Sequence, residues 1–258
     1  MSQEKPVIYM KRNVVLSLIA AGLTLFTAAS SKAWEVATPV PGTAISTVPF
    51  TISTPGNYYL ASNLTFTGFS GAAITIAASE VTLDLNGKTL STSGSFPTIG
   101  IFVANQVDVT IKEGDIDGFG MIGVYLAPNS TDVNAKNVVD GVNFNGDAIA
   151  VFSVSGTSNW VRNCIIDGGA IGIWFAQDAG SRASNNIVQK VAATELQPMS
   201  AGLLSSGSLG TYFENNLVYN AGGVGQMLSS TDKFRFETFT GTPVPSHVGG
   251  IDQLDTSL

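Results

Sequence analysis

Carboxylates are the acid–base groups this chain has in number, since its 258 residues contain one histidine and one cysteine. Three of them recur in the same setting, an apolar residue before and a glycine after: Ile116-Asp117-Gly118, Val139-Asp140-Gly141 and Ile166-Asp167-Gly168. Stacked at the ~4.8 Å of neighbouring parallel strands, Asp117, Asp140 and Asp167 would repel one another, which raises a carboxyl pKa or attracts a cation. Asp115 stands two residues before Asp117, on the same side of an extended backbone. Asp115, Asp117 and Asp140 thus form a candidate Ca²⁺ set, and paired acids at that separation also suit retaining glycoside hydrolysis. The competing reading is turn chemistry, because Asp-Gly closes tight corners by bonding its own backbone.

The second chemistry is binding. Segments of the form apolar-x-apolar after Gly or Ala line up as Ile74-Thr75-Ile76, Ile101-Phe102-Val103, Val124-Tyr125-Leu126, Ile149-Ala150-Val151, Ile173-Trp174-Phe175 and Leu203-Leu204. Their middle residues point outward and include Phe102, Tyr125 and Trp174, interrupted by Ala150. Such a strip suits the apolar faces of sugar rings, with Asn, Asp and Thr nearby for hydroxyls. Alternatively a loop packs over it, either the insertion 192–200 or the C-terminal tail.

The elements that must position these residues follow from the spacing. The first residues of that column lie 27, 23, 25, 24 and 30 positions apart, with Val224 a further 21 along. A second column, Gly87, Gly114, Asn137, Asn163, Asn186 and Asn216, keeps step about a dozen residues behind. Gly and Asn tolerate left-handed backbone, so the second column predicts one tight corner revisited on every turn. A repeat of 21–30 residues holds three short strands and their turns. It is too short for a propeller blade and lacks the spacing of leucine-rich repeats. The expectation is an all-β parallel solenoid of about six to seven coils.

Composition agrees, with only 12% charged residues and 28 glycines. Residues 1–33 read as a secretion signal: Lys5, Lys11 and Arg12, then the apolar run 14–29, then small residues. Without them the chain carries 18 acidic and 8 basic side chains, net −10, which argues against nucleic acid and anionic membranes as partners. The expectation is a secreted protein (extracellular, periplasmic or cell surface) with no stable membrane insertion once the signal is removed; the alternative is that the apolar run stays as an uncleaved membrane anchor. Cys164, alone and in an apolar strand pattern, reads as a small core residue. His247, in the tail, reads as solvated.

The stretch Val81-Thr82-Leu83-Asp84-Leu85-Asn86-Gly87, the preceding Pro55-Gly56-Asn57-Tyr58-Tyr59-Leu60, and the later Val161-Arg162-Asn163-Cys164 and Asn185-Asn186-Ile187-Val188 resemble coils of secreted right-handed parallel β-helix proteins of the pectate-lyase-like superfamily. The likeness covers roughly residues 50–240 and implies right-handed coiling. The expected division of the chain is a signal (1–33), an N-terminal cap region (34–70), a β-helix (71–240) and a C-terminal tail or cap (241–258). Asn145-Gly146-Asp147-Ala148-Ile149 is similar to the Gly-Asp-Asp-x-Ile coil of polygalacturonases, but Gly146 replaces the first Asp of that pair and no Gly-His-Gly follows. Only Asp147 carries over, as a possible acid. The resemblance also makes Arg162 a candidate substrate-binding cation, with polysaccharide as the expected partner. The expected function is polysaccharide binding without complete catalytic machinery and with no required cofactor, Ca²⁺ being the one ion the acids would attract. The alternatives are a polysaccharide lyase or glycoside hydrolase, and a structural or adhesin-like surface module.

Overall fold

The computed structural model describes residues 41–94, 96–127, 135–193, 199–229, 231–235 and 237–241, and the backbone of 246–247, 251–253 and 256–257. The predicted signal, residues 1–33, lies outside the described residues. So do part of the predicted cap region, part of the tail and the side chain of His247.

Strands of the described chain return to the same three faces on every turn, and all pairing between them is parallel. The front face is a nine-stranded sheet running from Phe50–Ile52 to Ser246–His247. The other two faces each take one strand per turn. They are joined into one 17-stranded network by the long strands Thr110–Asp117 and Val138–Asn145, which cross from one face to the other. Between residues 71 and 240 seven coils stack, in line with the expected solenoid. The strands Thr43–Ile45 to Leu64–Phe66 pair in parallel ahead of them, and the tail strands pair in parallel behind.

Alternation along each strand builds the interior. On the front face Ile74, Ile101, Val124, Val151, Ile173 and Leu203 are in register and fully buried. The second face contributes Leu83, Ile111, Val139, Val161, Ala183, Phe213 and Phe234, and the third Leu90, Ile116, Phe144, Ile166, Val188, Val218 and Phe239. Each of these side chains other than Ala183 contributes about 1.5–3 kcal/mol by leaving water.

The corner between the second and third faces holds two left-handed residues, Asn86 and Gly87, in the coil of 81–92 and a single one in each of the next five, Glu113, Gly141, Asn163, Asn185 and Asn215, with φ of 55° to 65°. The expected Gly/Asn column therefore marks the right place, offset by one residue in three coils. Gly114 is there for space, since a Cβ on it would lie 2.4 Å from that of Leu85. Asn186 and Asn216 follow the corner and turn inward. The Asn186 Oδ1 accepts from the Cys164 amide (3.0 Å), and its own amide and Nδ2 donate to the Asn216 Oδ1 (3.0 and 2.9 Å). Asn137 belongs to a different corner, where its amide donates to the Asn159 Oδ1 of the next coil.

Candidate functional site

The outward side of the front sheet carries Thr75, Phe102, Tyr125, Phe152, Trp174, Leu204 and Met227 in one register column. Four consecutive coils therefore present aromatic rings. Phe102 and Tyr125 have ring centroids 5.4 Å apart, Tyr125 and Phe152 5.3 Å with planes within 16°, and Phe152 and Trp174 4.7 Å. The predicted gap at Ala150 is corrected: Ala150 faces inward, 1% exposed, and Phe152 takes its place in the strip.

The offset arises because Ile149-Ala150-Val151 satisfies the apolar-x-apolar pattern, whereas the true triplet, Val151-Phe152-Ser153, ends in a buried serine. The discriminating signal is a column of small residues one step ahead: Gly100, Gly123, Ala150, Gly172, Gly202 and Gly225. A Cβ at Gly100 would lie 2.6 Å from the Gly123 carbonyl oxygen, and one at Gly172 2.4 Å from that of Gly202. The inward step beside the strip therefore admits little more than hydrogen. Aligned on it, the coils read small-apolar-large, which places Phe152.

The rings are half-buried. They lean on one another and on a second outward column of Ile99, Ile122, Ile149, Ile171 and Val224. What they offer outside is an apolar ridge along the solenoid axis. Burial raises the Tyr125 hydroxyl above its usual pKa, and Trp174 Nε1 donates to Ser206 Oγ at 2.9 Å. Met199, from the predicted covering insertion, packs against this cluster; residues 194–198 of that insertion lie outside the described residues.

The acidic candidates do not form one stack. Asp117, Asn145, Asp167 and Gln189 share a column on the third face, so the residue between the two carboxylates is an amide. Asn145 Nδ2 donates to Asp117 at 3.2 Å, and Asp167 accepts from Gln189 (2.9 Å) and Lys190 (2.8 Å). Asp115 accepts from Asn143 Nδ2 at 2.9 Å. Asp140 belongs to the second face, where Asp84, Lys112, Asp140 and Arg162 alternate in sign along one column. The expected stack of Asp117, Asp140 and Asp167 is therefore corrected: Asp140-Gly141 closes one corner, Asp117-Gly118 and Asp167-Gly168 another, with Asn145-Gly146 as their counterpart in the intervening coil. Asp115 and Asp117 stand apart from Asp140 for the same reason. Among the described residues no three His, Cys, Asp or Glu side chains gather as a metal site.

Arg162 is committed to Asp140, at 2.7 Å, and its guanidinium lies 4.1 Å over the Trp160 ring. Asp147 is inside the coil, 1% exposed, where Oδ1 accepts the Phe119 amide at 2.7 Å and Oδ2 has no partner. Desolvation there pushes its pKa well above the ordinary 3.8. Further along the second face, Arg182, Tyr212, Glu214, Lys233 and Arg235 line a cleft of about 450 Å³. No sequence pattern singled out that cleft, because its residues come from three coils whose outward positions share no repeated type.

Comparison with known proteins places this architecture. A search of curated proteins finds no match. Among solved structures, the A-module of the mannuronan C-5 epimerase AlgE4 of Azotobacter vinelandii is similar over 76% of this chain and 83% of its own, at 13% identity and a TM-score of 0.29. The family described as right-handed beta helix region matches residues 52–218 and, overlapping, 99–257. The chain belongs to the right-handed β-helix family.

Proposed function

We propose that this is an exported protein that holds a polysaccharide along its front face without cleaving it. The observation that carries the reading is the unbroken strip Phe102, Tyr125, Phe152 and Trp174, four rings at one-coil spacing on a half-buried outer surface. An apolar ridge that runs with the solenoid axis matches an extended polymer better than a compact ligand. It gains by displacing water from the C–H surfaces of successive sugars. The Tyr125 hydroxyl and the Trp174–Ser206 pair supply polar groups among the rings.

The non-cleaving half of the reading is supported by the acids. Asn145 fills the space between Asp117 and Asp167, Asp140 is engaged by Arg162, and Asp147 is enclosed, so among the described residues none of these four candidate acids faces another across an open gap for a glycosidic bond. The test is a panel of acidic and neutral polysaccharides incubated with the protein, with and without Ca²⁺. Retention, new reducing ends and unsaturated products are all scored. Retention without product, lost in Phe152→Ala and Trp174→Ala, is expected. Product formation abolished by Asp117→Ala or Asp167→Ala would overturn the reading.

A further inference from the structure

Charge is shared unequally among the three faces. The second carries Asp84, Lys112, Asp140 and Arg162 at outward positions, and the third carries Asp115, Asp117 and Asp167. Eight of the nine front-sheet strands, from Phe50–Ile52 to Val224–Leu228, contain no Asp, Glu, Lys, Arg or His at any position. Inward positions lack charge on every face because they are buried. Outward ones have no such reason, since the other two faces place charges there. The front face is thus the neutral side of a chain whose net charge is −7.

The polar groups among its rings are neutral as well. Thr75 and Tyr125 offer hydroxyls within the column, and Ser206 offers one at its edge, where it accepts from Trp174 Nε1. The two ends of the ridge differ. Past Phe102 the column continues through Thr75 to the exposed Thr51. Past Trp174 it meets Leu204, which is 1% exposed. A bound chain longer than the four rings therefore runs out over the threonines.

We infer, building on the front-face reading, that the strip selects an uncharged glycan, an extended chain of neutral pyranoses whose equatorial hydroxyls leave both ring faces as C–H surface. Such a face laid on the ridge displaces water without stripping any charge of its hydration. At the rim, sugar hydroxyls meet the hydroxyls of Thr75, Tyr125 and Ser206, which both donate and accept. A uronate chain would bring one carboxylate per sugar to strands that hold no cation, losing hydration with no partner in return. It would also approach a protein of its own sign.

The test is calorimetric titration of the full chain with a cello-oligosaccharide and with an oligoglucuronate of the same linkage and length, each at low and high salt. The two ligands differ only at C6, so charge is the one variable. The neutral chain is expected to bind about ten-fold tighter or better, with an affinity that salt leaves unchanged. Trp174→Ala is expected to remove most of that binding. Ile165→Ala, which trims a side chain 43% exposed on the third face, is expected to leave it intact. Thr75→Lys sets a cation in register with Phe102 and is expected to narrow the preference by strengthening the oligoglucuronate. Equal or tighter binding of the oligoglucuronate to the native protein, or a folded Thr75→Lys variant that keeps the full preference, would overturn the inference. Where that oligoglucuronate is released by Trp174→Ala, the front face still holds a polysaccharide and only its class is wrong. If neither ligand binds, the inference falls, and the front-face reading falls with it only when the wider polysaccharide panel also shows no retention.

Discussion

Tyr125 and Phe152 lie opposite each other on adjacent coils, their rings 5.3 Å apart and within 16° of parallel, at the middle of the four-ring strip. Each ring thereby contributes both to stability and to the outer surface. Phe152→Ala removes two ring contacts and is expected to lower the unfolding free energy by about 1–3 kcal/mol, read from the denaturant midpoint. Phe152→Tyr, which keeps the ring, is expected to cost less than about 1 kcal/mol. A loss as small for Ala as for Tyr would mean the rings touch without supporting one another.

Asn186 offers a sharper test of the interior. Its side chain serves the Cys164 amide, the Val161 carbonyl (3.1 Å) and Asn216 at once, and the residue is 1% exposed. Replacing it by alanine takes the acceptor from the buried Cys164 amide and a donor from the Val161 carbonyl, while the Asn216 Oδ1 keeps the backbone amide of residue 186, so Asn186→Ala is expected to cost about 2–4 kcal/mol. Asn185→Ala removes an exposed side chain at the left-handed corner, where Asn215 Nδ2 donates to it at 2.6 Å. It is expected to cost about 1 kcal/mol. The ordering of the two midpoints is the check.

These two neighbours show what the sequence carries and what it hides. The coil length, the three strands per coil and the place of the corner were all readable, because apolar alternation and left-handed backbone leave residue types that recur. Which of two adjacent asparagines turns at the corner was not readable, since both types suit the role and only the packing of the next coil decides. The same limit explains Phe152 and the acids. Ile149-Ala150-Val151 fits the apolar pattern better than Val151-Phe152-Ser153, whose inward third residue is a serine, and Asp140-Gly141 looks like Asp117-Gly118 although the two close different corners. The cleft on the second face was invisible because outward positions are free to vary, so its residues converge only once the register is known.

Asp147 gives the fold a pH dependence of definite sign. Burial raises its pKa well above the ordinary 3.8, so the folded state holds its proton after the unfolded chain has released one. Its stabilising effect is complete below about pH 4 and declines as the pH climbs toward the raised folded value. Asp147→Asn keeps the acceptor for the Phe119 amide and cannot ionise. It is expected to match or exceed the native stability at neutral pH, with the gap closing toward pH 4. A gap that widened on acidification would show that the ionised carboxylate is the stabilising form.

The pair of Arg162 and Asp140 is partly exposed, with side chains 32% and 27% accessible, and the guanidinium also covers Trp160. Screening by water limits the ion pair, and the stacking adds a similar amount, so Arg162→Ala is expected to cost about 1 kcal/mol. A double-mutant cycle with Asp140→Ala should return a coupling below about 1 kcal/mol that shrinks further in high salt. A coupling that salt leaves untouched would place the pair in a drier setting than its exposure implies.

Cys164 can report on opening of the whole coil. It is 1% exposed, its Sγ donates to the Arg162 carbonyl at 3.1 Å, and burial pushes its pKa from 9.0 up to about 12. The nucleophile in thiol labelling is the thiolate, which the folded state scarcely holds at neutral pH. Labelling is therefore expected to follow unfolding, with a rate that rises with denaturant in step with loss of β structure and that is raised by Asn186→Ala, whose side chain bonds the Cys164 amide. Because the folded pKa is the higher one, the thiol also favours the fold below about pH 9, and that contribution fades between 9.0 and about 12. Rapid labelling of the native protein at neutral pH, before any change in β structure, would mean that this part of the coil opens on its own.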